Sequence, residues 1–300
     1  MKKTFKLLSI LLISLLVLVG CGSNAQTSVE NGDEVVVDIK DNEITKDDIY
    51  TYLKLRFGPN LITTNLIDMQ LEKYVTLDEE DKEAGQKRLE ETKELLEDEF
   101  EEVIKASGYD SEEDYYQRVI LNAIKNEKLF NTYLNENLAD ITEGLNTAKV
   151  KMIKTDSKPE AEAALAELLE KEDLSSEDFK EVAKTYSKVE EDTEVAESTI
   201  QHVYEERVEL TFLNEELKTA TPGLIDEVFM DGEVFYIVFV EELDLEEDKE
   251  MIINSIVGDE LVNQVVSQSM FAHYSAKGDF EIHDADLYDL FKESNPFLVK

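Results

Sequence analysis

The residues best able to do chemistry in this chain are few. There are three histidines, His202, His273 and His283, and one cysteine, Cys21, among 300 residues. Zinc sites need three or four clustered ligands, and no histidine has a second ligand at that spacing. The histidines therefore read as scattered surface residues. No serine is framed by the glycines of a nucleophile elbow, and no glycine-rich run could cradle phosphate. The acidic runs lack the alternating oxygen ligands and central glycine of a calcium loop. Neither a metal nor a cofactor is expected.

Cys21 needs its own explanation. It follows a basic start (Lys2, Lys3, Lys6) and an apolar run from Leu7 to Val19. That order is a secretory signal, and the run is short and one-sidedly flanked for a resident span. The ending LVGC resembles the lipobox of bacterial lipoproteins. The resemblance implies lipidation of the Cys21 sulfur, with Cys21 as the first mature residue. As the only cysteine it leaves no thiol for a disulfide. The expected location is the outer face of a bacterial cytoplasmic membrane, held by lipid. Acyl chains contribute about 0.8 kcal/mol per buried CH₂, so two or more hold firmly. The small polar stretch to Asp33 reads as a flexible tether.

Charge narrows the function classes. Seventy acidic and 30 basic residues give a formal charge of −40. Such a surface repels nucleic acid phosphate, so no nucleic-acid partner is expected. The excess favours solubility, and cations or cationic wall components are its other readings. Four prolines and 11 glycines argue against a loop-rich all-β protein.

The elements follow from pattern. EVVVDIK (34–40) is a short strand. Thr45 with Asp48 marks a helix start; that helix should stop at Gly58-Pro59, and a second should run from Asn60 to Val75. Residues 77–106 predict one long exposed helix with a seam of Leu89, Leu96, Phe100 and Val103. Ser111 opens another helix. AKVKMIKT (148–155) alternates as a strand, and Pro159 sits near the start of the helix that follows. In DFKEVAKTYS (178–187), Phe179, Val182, Ala183 and Tyr186 fall at i, i+3, i+4 and i+7. TPG (221–223) is a turn, and EVFYIVFVEEL (233–243) is the most strand-like run. Leu245 to Tyr274 reads as helix. A short strand near Phe280 and a helix capped by Asp284 close the chain. Strand, two helices, loop and strand make a small α+β domain between helical flanks.

Order and spacing together resemble the PrsA-like foldase lipoproteins and the related SurA-like chaperones. The features are the lipobox, the opening VVVDIKDNEITKDD, the central insert and the closing FEIHDADLYDLF. Within the insert, AKVKMIKT, DFKEVAKTYS and the TPG-to-EVFYIVFV passage resemble a parvulin-type peptidyl-prolyl isomerase. Parvulins place two histidines on adjacent central strands beside an apolar proline pocket. Here those positions hold Val150 and Tyr236, so no catalytic residue of that kind is retained. The resemblance assigns Phe212 or Leu213, with Met152, to the proline pocket.

The expected fold is α+β, with the helical segments packing into one chaperone domain around a parvulin-like insert. The segments are signal peptide 1–20, tether 21–33, helical region 34–145, degenerate parvulin-like domain 146–244 and C-terminal helical region 245–300. The resemblance implies a membrane-anchored chaperone or foldase for unfolded exported polypeptides, with weak or lost isomerase activity and homodimerisation as an option. An active isomerase and a solute-binding lipoprotein are the alternatives.

Overall fold

The computed structural model describes residues 27–40, 42–188, 195–203, 216–276 and 280–298. Cys21, Phe212 and Leu213 lie outside the described residues. The chain divides into two compact units. The first takes residues up to Lys125 together with those from Phe271 onward, and the second runs from Asn126 to Met270. As expected, the architecture is α+β, with helices dominating and two small sheets.

In the first unit, β1 (Val35–Ile39) and β2 (Asn42–Thr45) form an antiparallel hairpin. It leads into α1 (Lys46–Tyr74). The Thr45 hydroxyl accepts from the Asp48 amide at 3.2 Å, and the Asp48 carboxylate accepts from the Thr45 amide at 2.8 Å. This reciprocal cap satisfies two amides that a helix start leaves open.

The expected stop at Gly58-Pro59 does not occur, for α1 continues with a buried Pro59 inside it. An interior proline costs about 3 kcal/mol in lost bonding and clash. Close packing offsets that cost. Helix α10 (Ala285–Ser294) lies along α1. A Cβ on Gly58 would come within 2.2 Å of a Leu287 methyl. The glycine thus serves as a seat for Leu287.

The long helix expected over 77–106 also differs. Helix α2 (Glu79–Leu96) ends at Glu97, whose φ is +47°. A 3₁₀ turn (Glu97–Glu99) and α3 (Phe100–Ala106) follow. The bend sends Phe100 and Ile104 into one core with Leu89, Tyr116, Ile120, Leu121 and Ile124, and leaves Val103 exposed. Ser111 caps α4 (Glu112–Tyr115); a wide π turn (Tyr116–Ile120) then joins it to α5 (Leu121–Gly144). Phe280 to His283 form no strand.

A buried charge cluster ties the first unit together. Lys54 on α1 and Asp284, the N-cap of α10, are both nearly inaccessible. Lys54 Nζ lies 3.1 Å from Asp284 Oδ2 and 3.2 Å from Asp286 Oδ2. The Thr27 amide and hydroxyl donate to Asp284 Oδ2 at 2.8 and 2.5 Å. The Leu287 amide donates to Oδ1 at 3.0 Å. Burial pushes the Asp284 carboxyl upward, but these donors more than offset it and hold it far below the usual carboxylate range. Burial likewise pushes Lys54 down, and Asp284 and Asp286 raise it on balance.

In the second unit a five-stranded antiparallel sheet has the order β4-β3-β7-β5, with β6 also pairing β7. Its strands are β3 (Ala148–Thr155), β4 (Thr199–Gln201), β5 (Gly223–Leu224), β6 (Phe229–Asp231) and β7 (Val234–Glu241). Gly232, at φ +58°, turns β6 into β7. Helices α6 (Lys158–Leu169) and α7 (Ser176–Tyr186) cover one sheet face. There Phe179, Val182 and Ala183 pack with Ile153, Ile237 and Phe239, and Tyr186 lies at the edge. The i, i+3, i+4, i+7 stripe is therefore a core stripe.

The helix expected over 245–274 is two, α8 (Lys249–Gly258) and α9 (Glu260–Ser275). Asp259 breaks them, accepting from the amides of Leu261 and Val262 at 3.1 Å each. The compact units are also cut differently from the segments 34–145, 146–244 and 245–300, because their divisions fall inside α5 and α9. Lys149 on β3 pairs with Asp248 at 2.7 Å, which ties the start of α8 to the sheet.

Two predictions follow from the first unit. Gly58→Ala should lower the melting temperature in the natural background through the clash with Leu287. In a Leu287→Ala background the same change should raise it, since alanine outscores glycine by about 1 kcal/mol in a helix. Thermal melts of the four variants decide the sign. The second prediction concerns acid. A carboxyl held lower in the folded state than in the unfolded chain contributes stability above pH about 4, and loses it as pH falls further. Hydrogen-exchange protection across Ala285–Ser294, taken relative to the intrinsic rate at each pH, should fall below that pH. Asp284→Asn should cost about 3 kcal/mol at neutral pH, as broken buried pairs do, and should flatten the acid response.

Candidate functional site

The face of the sheet away from α6 and α7 carries the positions singled out by sequence. Strand alternation sets this. Val150 and Met152 on β3, and Tyr236, Val238 and Val240 on β7, share it with Phe229, Val203 and Leu217. Val150, Val238 and Val240 are buried, while Met152 and Tyr236 lie at the margin.

Register separates the two key positions. Val150 faces Val240, Met152 faces Val238, and Tyr236 faces Lys154. Val150 and Tyr236 thus share a face but lie four residues apart along it, about 13 Å. They cannot meet in one hydrogen bond, and a valine has none to offer. Met152 sits between them. Phe212 and Leu213 lie outside the described residues, so the assigned pocket is placed only through Met152.

Tyr236 is the polar group at this margin. Burial raises its phenol above the usual range, and Asp231 adds to the effect, so it stays a neutral hydroxyl at physiological pH. The Lys154 ammonium lies 5.9 Å from its ring centroid, at the outer limit of a cation–π contact. Chemically the margin of the face offers a thioether and a phenol, while its alkyl groups are buried.

Two polar clusters of this unit had no signal in the sequence. His202, expected at the surface, is 3% exposed. Its Nδ1 lies 3.0 Å from the Thr147 hydroxyl and its Nε2 2.7 Å from the Ser255 hydroxyl. The Ser255 proton goes to the Ile252 carbonyl at 2.8 Å. Ser255 Oγ must therefore accept from His202 Nε2–H, and Thr147 donates to Nδ1. The imidazole bolts the end of β4 to the start of β3 and to α8. By contrast His273 is half-buried and His283 is exposed. The second cluster centres on Glu241, which accepts from the hydroxyls of Ser176 at 2.6 Å and Ser198 at 2.5 Å. Lys151 reaches Ser198 at 2.8 Å and Glu241 at 3.5 Å. Burial pushes Glu241 up, and the two serines and Lys151 bring it below the usual range. Lys151 thus bridges Ser198 and Glu241. Among the described residues no group of His, Cys, Asp and Glu could hold a metal ion.

No family model matches the chain. Its sequence is 29% identical over 130 residues to "Foldase protein PrsA 2" of Bacillus cereus. The chain is similar to a PrsA foldase. The match takes in 43% of this chain and 42% of that protein's length. Three solved structures align over most of their length. PrsA of Bacillus cereus, described as a peptidylprolyl isomerase, shares 21% identity over 88% of this chain and 99% of its own, with a TM-score of 0.49. PrsA of Bacillus subtilis shares 18% over 87% and 99%, with a TM-score of 0.39. A structure reported for SurA-like chaperones of Campylobacter jejuni shares 16% over 83% and 99%, with a TM-score of 0.27.

The buried imidazole generates a prediction. His202→Ala should strand two buried hydroxyl contacts and cost about 1–3 kcal/mol, read as a lowered denaturation midpoint. Nitrogen NMR of the natural protein should find the proton on Nε2. A proton on Nδ1 would reverse the hydrogen-bond chain described above.

Proposed function

We propose that the chain is a lipid-anchored extracytoplasmic chaperone for unfolded exported polypeptides, with a parvulin-like unit whose isomerase activity is weak or lost. The likeness to a PrsA foldase supports the chaperone half of this reading, together with the lipobox at Cys21. The observation that carries the second half is the sheet face itself. The positions assigned to the two histidines hold Val150 and Tyr236, separated in register by four residues.

Prolyl isomerisation makes and breaks no bond. It twists an amide over a barrier of about 18–20 kcal/mol. An apolar surface can stabilise the less polar twisted imide to some degree, and a neutral Tyr236 hydroxyl can donate one hydrogen bond. A network of ring nitrogens has no counterpart at these two positions. A second reading, an active isomerase, therefore rests on Tyr236 alone. The solute-binding reading is disfavoured by sheets that are small and antiparallel among the described residues, since such proteins usually carry two α/β lobes of parallel strands.

A paired assay on the soluble chain starting after Cys21 tests the proposal. One arm follows cis/trans turnover of a proline peptide, and the other follows suppression of aggregation of an unfolded client. Suppression with little turnover is the expected result. Strong turnover abolished by Tyr236→Phe would establish the second reading instead. Absence of both activities would sink the foldase reading.

A further inference from the structure

Helix α1 is unlike the rest of this acidic chain. From Ile49 to Ile67 it contains no Asp or Glu, although 70 of the 300 residues are acidic. The same stretch holds Lys54 and Arg56. Its apolar residues surround the helix, a pattern that ordinarily marks burial on all sides. Yet Ile49, Tyr52, Leu53 and Phe57 are all exposed, Tyr52 by 59% and Phe57 by 51%. At i, i+3, i+4 and i+8 they share one face. Arg56, at i+7, belongs to the same face, with its guanidinium 5.8 Å from the Phe57 ring centroid. Lys54, buried against Asp284, points elsewhere.

The chain itself says what lies nearby. Thr27 is fixed to this half of α1. Its hydroxyl lies 2.9 Å from the Tyr50 hydroxyl, and its amide and hydroxyl donate to Asp284. Cys21 precedes Thr27 by six residues, which span at most about 21 Å when fully extended. That is about two helix diameters. If Cys21 carries lipid, the open face of α1 is leashed at the headgroups.

We infer that the face formed by Ile49, Tyr52, Leu53 and Phe57 rests on the outer leaflet of the membrane and orients the first unit there. The inference rests on the lipid-anchoring reading of Cys21. Tyrosine and phenylalanine suit the headgroup region, and a helix can lie in that plane with its apolar face down. Among the described residues no helix is long and apolar enough to cross a membrane. The lack of acids from Ile49 to Ile67 lowers repulsion from lipid phosphate along the helix, and Arg56 supplies attraction. Asp47 and Asp48 flank its start, and acids farther than about 8 Å are screened at physiological salt.

The chain has no tryptophan, so one introduced tryptophan is an unambiguous reporter. The test uses full-length protein processed in cells, reconstituted in phosphatidylcholine vesicles with brominated acyl chains. Two variants are compared, Phe57→Trp and Leu169→Trp. Leu169 is 52% exposed in the second unit and serves as the control. Quenching of Phe57→Trp at least twofold stronger than that of Leu169→Trp is expected. Mass spectrometry of the same sample reports the lipid on Cys21. An unmodified Cys21 overturns the anchoring reading and this inference with it. A lipidated Cys21 with equal, weak quenching of both variants overturns the membrane contact alone. Blue-shifted but unquenched emission from Phe57→Trp would place a second copy or a bound client on this face, and would also overturn it.

Discussion

Asp284 is the carboxylate on which the first unit depends. It joins Thr27, 257 residues earlier, to Lys54, 230 residues earlier, and caps α10 at the same time. A buried ion pair alone is weak evidence of stability, since desolvation consumes much of the Coulombic gain. Asp284 escapes that objection because its oxygens accept from four donors, two of them backbone amides. It also converts an otherwise local helix cap into a long-range tie. Once α10 is held against α1, Leu287 fills the notch at Gly58, and an interior proline becomes tolerable.

In the second unit the governing constraint is strand register. Alternation sends Ile153, Ile237 and Phe239 to the helix-covered face and Val150, Val238 and Val240 to the other. Both faces of β7 are apolar, which is why it reads as a near-continuous hydrophobic run, while lysines on β3 make that strand alternate. The polar groups are pushed to the sheet margins. There they act as bolts: His202 between two hydroxyls, Glu241 among two serines and a lysine, and Lys149 on Asp248.

Local signals were legible where local physics decides. The capping residues Thr45, Ser111 and Asp284 all mark helix starts, and AKVKMIKT coincides with β3. Tertiary effects were not legible. Proline at position 59 signals a stop, yet the helix continues there with Pro59 buried and Gly58 packed on Leu287 of α10. Glu97 adopts a left-handed backbone that its side chain does not advertise; the demand comes from Phe100 and Ile104 reaching the core. His202 looked like a surface residue because Thr147 and Ser255 are 55 and 53 positions away. Val150 and Tyr236 lie on adjacent strands and on the same face, four residues apart in register. Their separation depends on cross-strand register, which sequence pattern cannot specify to better than its two-residue period.

The uneven charge of the chain unites both units. In the proposed function, a −40 protein that meets apolar, unfolded chains faces two opposing demands. It has to expose hydrophobic surface without self-association, and a high like charge supplies the repulsion that prevents it. Acids crowd α2, with Glu79, Glu80 and Asp81 in its first turn, and leave Ile49–Ile67 bare. Dispersed acids would have served solubility equally well. Segregation instead leaves an uncovered apolar face on α1 with no acid between Ile49 and Ile67, beside Thr27 where the described chain begins.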